Sequence, residues 1–216
     1  MKSLADCRLY TFVDTAYFRG RDPLTLTAQL CDGGADLIQL RAKNWPADRV
    51  ERLAAQLLPI CDMNGVLLVI NDHPQVAIRL GVPLTHLGQE DFFDAGRTHV
   101  SEVLPPGCKV RLGLSSHAPE QAERALAAGA AYIAVGPVYP TPTKPGRPAV
   151  TLKYVRWAAN TVHDRPWFAI GGINAANLDD VLEAGATRIC IVSAILDSVD
   201  VAAACREFRR RLPSKV

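Results

Sequence analysis

Residues suited to binding an anion are concentrated between Gly136 and Gly146, which reads Gly-Pro-Val-Tyr-Pro-Thr-Pro-Thr-Lys-Pro-Gly. The hydroxyls of Thr141 and Thr143 and the ammonium of Lys144 are donors of the kind that hold phosphate groups. The stretch follows an apolar run, and its glycines and prolines exclude a central strand or a helix interior. It therefore predicts a loop at a strand end that offers donors to an anion. An ordinary Pro-rich surface loop is the alternative.

A second set of donors lies in the run Gln39-Leu40-Arg41-Ala42-Lys43. Side chains alternate along an extended chain, so Gln39, Arg41 and Lys43 point to the same side while the strand persists. An amide and two cations on one side suit a phosphorylated ligand. The alternative is that Arg41 and Lys43 are only surface charges at the start of a loop. In that case the polar side chain of Gln39 would lie inside a strand without a ligand to bind.

Two carboxylates, Asp72 and Asp91, follow the third and fourth apolar runs of the chain. Mg²⁺ typically binds one or two carboxylates together with substrate phosphate oxygens and waters, so we predict that this pair binds Mg²⁺. Each has a structural alternative, because Asp72 could cap a helix beginning at Pro74 and Asp91 could begin the next helix. His86 has no companion at metal-ligand spacing and is predicted to be a satisfied histidine of the core or rim.

Other candidate ligand contacts follow later apolar runs. Ser115 lies near His117, but there is no Gly-x-Ser-x-Gly elbow and no acidic residue close by, which favours a hydrogen-bond donor over a nucleophile. Gly171 and Gly172 would let a backbone approach a ligand, and Ser193 follows the last run. Amides in these two places form the phosphate site of many β/α barrels, whereas simple turn glycines are the alternative.

These residues follow short, nearly continuous apolar runs that are typical of parallel strands covered on both faces. Strands are predicted over Arg8–Val13, Leu37–Leu40, Leu67–Ile70, Leu84–Leu87, Val110–Leu114, Tyr132–Val135, Trp167–Ile170 and Arg188–Val192. Amphipathic helices are predicted over Pro23–Asp32, Ala47–Asn64, Pro74–Leu80, Ala95–Leu104, Pro119–Ala128, Leu152–Asn160, Asn177–Ala184 and Val199–Leu212. Pro59 should kink or divide the second helix.

The alternation of strands and helices predicts a single (β/α)₈ barrel spanning residues 1–216. A doubly wound open sheet is the rival fold. No Gly-x-Gly-x-x-Gly follows the first strand, and an open sheet would concentrate polar residues at one switch point. Here polar residues follow nearly every strand, which favours the barrel.

Composition narrows the class of protein. The 216 residues are 49% hydrophobic and 21% charged, as in a soluble globular protein. The formal net charge of +2 argues against nucleic acid or a membrane surface as partner. No signal peptide or membrane span is evident, so we expect a cytoplasmic protein that acts on small molecules. The cysteines are scattered and are expected to be buried thiols. Assembly into a homo-oligomer is left open.

The ordered set of motifs resembles the family of thiamine-phosphate synthases and thiazole tautomerases. The resemblance covers essentially the whole chain, and it rests on the ordered set because each motif alone is weakly specific. It is carried by Gln39 to Lys43, Asn71-Asp72, His86 to Asp91, Gly113 to Ser115, Gly136 to Lys144, and Ala169 to Ile173. It implies a (β/α)₈ barrel that joins 4-amino-5-hydroxymethyl-2-methylpyrimidine diphosphate to 4-methyl-5-(2-phosphoethyl)thiazole, or its carboxylated form, and releases pyrophosphate.

The resemblance also assigns residues to the two substrates. Pyrimidine diphosphate would contact Gln39, Leu40, Arg41, Ala42, Lys43, Asn71, Ser115 and Lys144. Thiazole phosphate would contact Thr141, Pro142, Thr143, Gly172, Val192 and Ser193. Mg²⁺ would be held by Asp72 and Asp91. The catalytic set would be Lys144, Arg41, Lys43 and Ser115.

The mechanism implied by the family is dissociative: pyrophosphate leaves first, and the thiazole nitrogen captures the pyrimidinylmethyl cation. Such chemistry needs stabilisation of the leaving group and no protein nucleophile. A tautomerase of the same family is the first alternative, although that branch tends to lack the aspartate pair and the Thr-x-Thr-Lys ending. A non-catalytic barrel that binds a thiamine precursor is the second.

Overall fold

The fold is a closed barrel of eight parallel strands in chain order. It was obtained as a computed structural model, and it describes residues 2–141 and 149–213. The predicted (β/α)₈ barrel is thereby confirmed, and the open-sheet alternative is wrong because the first strand pairs with the last. Pro142, Thr143 and Lys144 lie outside the described residues.

The strands begin and end close to the predicted positions. They are β1 (Leu9–Asp14), β2 (Leu37–Arg41), β3 (Leu67–Asn71), β4 (Leu84–Leu87), β5 (Arg111–Ser116), β6 (Tyr132–Val135), β7 (Trp167–Ile170) and β8 (Ile189–Cys190). The last strand is shorter than predicted, because a short helix begins at Ser193. Polar residues end four strands, with Asp14, Arg41, Asn71 and Ser116 as the last residues of β1, β2, β3 and β5.

The helices form the outer layer. They are α1 (Pro23–Asp32), α2 (Ala47–Met63), α3 (Pro74–Leu80), α4 (Gln89–Phe93), α5 (Pro119–Ala127), α6 (Thr151–Thr161), α7 (Leu178–Glu183), α8 (Ser193–Leu196) and α9 (Val201–Arg211). Pro59 lies inside α2 and does not divide it. The α2 face with Val50, Leu57 and Cys61 is buried, and this burial offsets the backbone donor that proline removes.

The predicted helix over Ala95–Leu104 is wrong. The helix after β4 is α4, which begins at Gln89, and Val100–Glu102 form only a 3₁₀ turn. Glu102 Oε1 accepts hydrogen bonds from the backbone N–H groups of Thr98 and His99 at 2.9 Å each. These bonds close a capped turn, which explains why the local apolar pattern did not continue as a helix.

The barrel interior contains a cluster of three aromatic rings. Tyr10, Tyr132 and Phe168 meet edge to face, with ring centroids 5.4 to 6.0 Å apart. Gly113 makes room for this cluster, because a Cβ there would lie 2.1 Å from Cζ of Tyr132. The centre of the barrel is therefore a packed core below its carboxyl-terminal face.

The expectation of buried thiols is confirmed for most cysteines. Cys7, Cys31, Cys61, Cys190 and Cys205 are buried free thiols, and Cys108 is partly exposed. Burial raises the pKa of Cys7 to about 12. Within residues 2–141 and 149–213, no helix is long and apolar enough to cross a bilayer.

Candidate active site

A cavity opens at the carboxyl-terminal face of the barrel, and residues from all eight strands line it. Parallel strands in a closed barrel all end on this face, so side chains far apart in sequence meet there. The predicted site residues that line the cavity are Gln39, Arg41, Lys43, Asn71, Asp72, Asp91, Ser115, Thr141, Gly172, Val192 and Ser193.

Among the described residues, two predicted contacts are not part of the cavity wall. Leu40 is 0% and Ala42 is 6% exposed, and neither lines the cavity. The alternation that turns Gln39 and Arg41 toward the cavity turns these neighbours to the other side of the strand. Their side chains therefore pack in the core, and their assignment to pyrimidine diphosphate stays a prediction that only their backbone could fulfil.

Each cation of the β2 run faces a carboxylate. Arg41 donates to Asp14 at the end of β1, and Lys43 pairs with Asp72 at the end of β3. Asp14 was missed by the sequence analysis, although its position at the end of a predicted strand was the available signal. These pairs hold both cations at the wall of the cavity, where the cations can also donate to an anionic ligand.

Asp72 and Asp91 both line the cavity. Asp72 has a φ of +62°, an uncommon backbone conformation for a residue with a side chain, and it makes no cap for α3. Its amide donates to the carbonyl of His86 at 3.0 Å. Asp91 lies in the first turn of α4, as its structural alternative predicted, and its carboxylate packs against Gly88, where a Cβ would meet Oδ2 at 2.5 Å.

The donor set fits Mg²⁺ better than a metal held by protein alone. In the part of the chain that the structure describes, no group of three or more His, Cys, Asp or Glu side chains could hold a metal ion. A pair of hard carboxylate oxygens beside a cavity suits a cation that takes its other ligands from phosphate and water.

His86 and Ser115 form the floor of the cavity. His86 is buried, with Nδ1 3.1 Å from the hydroxyl of Tyr132 and Nε2 3.0 Å from Oγ of Ser115. The prediction of a satisfied histidine is therefore confirmed. Ser115 does have a histidine partner, but the far ring nitrogen faces a phenol rather than the carboxylate of a catalytic triad. The arrangement favours hydrogen bonding to a ligand over nucleophilic attack.

His117 enters the cavity from the end of β5. Its Nδ1 donates to the carbonyl of Gly136, and its Nε2 lies 3.9 Å from Oε1 of Glu90. A carbonyl oxygen only accepts, so this contact places the proton of the neutral ring on Nδ1. Nε2 is then the acceptor nitrogen of the ring.

The glycines after β7 are explained by a contact that the sequence analysis did not foresee. Val138 and Tyr139 donate backbone hydrogen bonds to Ile170 and Gly171 at 2.9 and 3.0 Å. A Cβ at Gly171 would lie 2.4 Å from Cα of Pro137, and one at Gly172 would lie 2.6 Å from the carbonyl of Pro140. The paired glycines therefore let the loop after β6 lie against the loop after β7. Both glycines also line the cavity.

The chain is similar to proteins of one family along most of its length. The sequence model described as thiamine monophosphate synthase matches residues 9–195. A thiamine-phosphate synthase of Thermus thermophilus is 48% identical over 88% of each chain. One of Acidothermus cellulolyticus is 46% identical over 97% of each chain. Among solved structures, thiamine phosphate pyrophosphorylase from Pyrococcus furiosus aligns with a TM-score of 0.82 and 26% identity over 95% of each chain. The chain belongs to the thiamine monophosphate synthase family.

Proposed function

We propose that the cavity binds 4-amino-5-hydroxymethyl-2-methylpyrimidine diphosphate beside 4-methyl-5-(2-phosphoethyl)thiazole and joins them to thiamine phosphate with release of pyrophosphate. If the carboxylated form of the thiazole is the substrate, its carboxyl group leaves as CO₂ in addition. The chain is a transferase by its family, and its relatives carry the name thiamine-phosphate synthase. One observation carries the proposal: cations and carboxylates from β2 to β4 and hydroxyls and glycines from β6 to β8 line one cavity.

The diphosphate is assigned to the charged side of the cavity. Arg41, Lys43 and Asn71 come from the ends of the adjacent strands β2 and β3, which supports their contact with one polyanionic group. Asp72 and Asp91 would hold Mg²⁺, which when bound neutralises charge on the departing pyrophosphate. Lys144 lies outside the described residues and joins this group as a proposal from the sequence.

The thiazole phosphate is assigned to the opposite side. Thr141, Gly172, Val192 and Ser193 line the cavity after β6, β7 and β8. The backbone of the glycine pair and the hydroxyl of Ser193 are donors suited to a phosphate monoester in this place in a β/α barrel. Pro142 and Thr143 belong to the same assignment and lie outside the described residues.

The chemistry requires a stabilised leaving group. The bond between the pyrimidine methylene carbon and the diphosphate oxygen breaks, and its electron pair leaves with pyrophosphate. The thiazole nitrogen then uses its lone pair to form the new carbon–nitrogen bond. Arg41 and Lys43 act on the departing oxygens, and one preorganised donor of this kind is worth about 3 to 4 kcal/mol in the barrier. The side chains also hold the two rings at reacting distance.

Thiazole tautomerisation is the second candidate, favoured by one observation. His117 lies in the cavity with Nδ1 donating to Gly136, so its Nε2 could accept a proton from a ring carbon. Synthesis is preferred because the carboxylate pair and the cations have no task in a proton transfer between two ring positions. A precursor-binding barrel without catalysis is the third reading. A lost metal ligand or a lost Lys144 would favour it, and the sequence retains Asp72, Asp91 and Lys144.

Incubation with both substrates and Mg²⁺ tests the proposal, with thiamine phosphate and pyrophosphate measured separately. The two products should appear in equal amounts. If no product forms with each of the divalent metals tested, the proposed synthase activity is overturned. Isomerisation of the thiazole alone would favour the tautomerase. We propose the cytoplasm as the compartment of this reaction, because charged phosphate esters do not cross membranes unaided.

A further inference from the structure

A continuous chain of hydrogen bonds crosses the interior of the barrel from one wall of the cavity to the other. Gln39 Nε2 lies 2.5 Å from the hydroxyl of Tyr10, which lies 3.0 Å from the hydroxyl of Tyr132. The chain continues from Tyr132 to Nδ1 of His86 at 3.1 Å and from Nε2 of His86 to Oγ of Ser115 at 3.0 Å. All five side chains are buried, with 1% exposure or less for the two tyrosines.

The hydrogen bonds of this series all donate in the same direction, from Gln39 toward Ser115. The amide nitrogen of Gln39 only donates, so Tyr10 accepts there and uses its own proton toward Tyr132. Tyr132 in turn donates to Nδ1 of His86. A neutral imidazole that accepts at Nδ1 carries its proton on Nε2, and this proton goes to Ser115.

Burial keeps both phenols of this hydrogen-bond chain neutral, so that each can still donate a proton. Burial is the main cause that raises the pKa of Tyr10 well above its usual value, and it also raises the pKa of Tyr132. Both phenols therefore remain protonated and able to donate. Their rings are fixed by edge-to-face contacts with each other and with Phe168, so the hydroxyls have little freedom to turn away.

We propose that Tyr10 and Tyr132 are positioning residues that fix His86 as its Nε2–H tautomer and thereby leave the hydroxyl proton of Ser115 to donate into the cavity. Ser115 lines the cavity and accepts from His86, so its own proton can serve a ligand. An sp² ring nitrogen of the substrate is the acceptor of matching chemistry. The identification of this ring with the pyrimidine rests on the proposed function.

The opposite direction of the chain would have the opposite result. If the oxygen of the Gln39 amide faced Tyr10, each proton would move to the other partner. His86 would then carry its proton on Nδ1, and Ser115 would donate to His86 and have only its oxygen lone pairs for a ligand. The tautomer of His86 therefore distinguishes the two directions of the hydrogen-bond chain, and it can be measured in the absence of substrate.

The first experiment is ¹⁵N NMR of the ring nitrogens in the unliganded protein at pH 8.5, above the ordinary histidine pKa of about 6.5. The signal of His86 is the one lost in His86→Gln. The proposal expects protonated Nε2 in the unsubstituted protein and a mixture of both tautomers in Tyr132→Phe. A His86 ring protonated on Nδ1 would overturn it, whatever the activity of the enzyme.

The second experiment measures how Tyr132 and Ser115 depend on each other. Tyr132→Phe should raise the KM for pyrimidine diphosphate roughly 3- to 10-fold, the loss expected for one hydrogen bond, with a smaller change in KM for thiazole phosphate. The same substitution in a Ser115→Ala background should add no further loss, because the chain then has no hydroxyl to direct. An equal loss in both backgrounds would overturn the proposal.

Tyr154→Phe is the matched control. Tyr154 is also buried, and its hydroxyl oxygen lies 2.8 Å from Ser116 Oγ and 2.9 Å from the carbonyl oxygen of Ala118, but it does not line the cavity. It should lower thermal stability as Tyr132→Phe does and leave both KM values and the His86 tautomer unchanged. A similar rise in KM in this control would show that Tyr132 acts only through stability. The proposed tautomer in a protein without synthase activity would refute the proposed function alone.

Discussion

Asp14 holds Arg41 at the mouth of the barrel: Oδ2 of the carboxylate lies 2.6 Å from Nη1 of the guanidinium. The two residues are register partners at the ends of β1 and β2. Asp14 is 1% exposed, and its other oxygen accepts from the amide of Ala16 at 3.0 Å. A buried carboxylate must be paired, so this arrangement restrains the side chain that is proposed to meet the diphosphate.

Asp14→Asn should lower kcat/KM by about 10- to 100-fold. The amide retains the shape of the carboxylate and can still accept from Ala16, but the charge that restrains Arg41 is gone, and misplacement of a catalytic group is costly. Steady-state kinetics with both substrates measure the effect. Asp48→Asn is the control, because Asp48 pairs with Arg52 on the exposed surface of α2. Equal kinetics for Asp14→Asn and the unsubstituted enzyme would show that Arg41 needs no such restraint.

Asp72→Asn and Asp91→Asn should each lower kcat sharply, with weaker effects on the KM for thiazole phosphate. An amide is a poor substitute for a carboxylate at Mg²⁺, and the loss acts on the diphosphate side. Asp94→Asn is the control, since Asp94 is exposed at the end of the same helix, α4. Chelation by EDTA should abolish the activity of the unsubstituted enzyme, and undiminished turnover in EDTA would rule out the metal assignment.

Ser193→Ala should raise the KM for thiazole phosphate about 3- to 10-fold and leave that for pyrimidine diphosphate nearly unchanged, because one phosphate donor is lost. Ser198→Ala is the control, since Ser198 donates to the carbonyl of Asp200 and does not line the cavity. Equal effects of Ser193→Ala on the KM values of both substrates would show that Ser193 is wrongly assigned to the thiazole phosphate side of the cavity.

A bulky residue at Gly172 should raise the same KM but with a loss of stability. Gly172 has a φ of +67°, and a side chain there would meet Tyr139 and Pro140 of the neighbouring loop. Thermal unfolding of Gly172→Val should therefore begin at a lower temperature than that of Ser193→Ala. A Gly172→Val enzyme of unchanged stability would contradict the contact between the two loops.

Lys144→Ala should reduce kcat by roughly 10²- to 10³-fold and change KM less, by analogy with the loss of one preorganised donor. Lys144→Arg should restore activity only in part, because a planar guanidinium does not occupy the place of a compact ammonium. Lys153→Ala on the exposed surface of α6 is the control. Intact kcat with weaker binding of thiazole phosphate would assign Lys144 to the other substrate.

The elements of the barrel were readable from local patterns. Apolar runs predicted every strand, and alternation correctly turned Gln39, Arg41 and Lys43 toward one cavity. The same alternation buries the side chains of Leu40 and Ala42 in the core. The helix predicted over Ala95–Leu104 failed because its apolar spacing was compatible with a helix, while the bonds made by Glu102 favour a turn.

The sequence by itself determined the number of β/α units and the residue types at the strand ends, because both follow from local periodicity and composition. Only the tertiary structure decided which of those side chains meet. Tyr10 and Tyr132 read as ordinary strand residues, yet their hydroxyls are bonded across 122 positions of sequence. Asp14 reaches Arg41 through the register of β1 with β2. Such contacts depend on the register and closure of the barrel, which arise from the packing of all strands together and leave no local pattern in the chain.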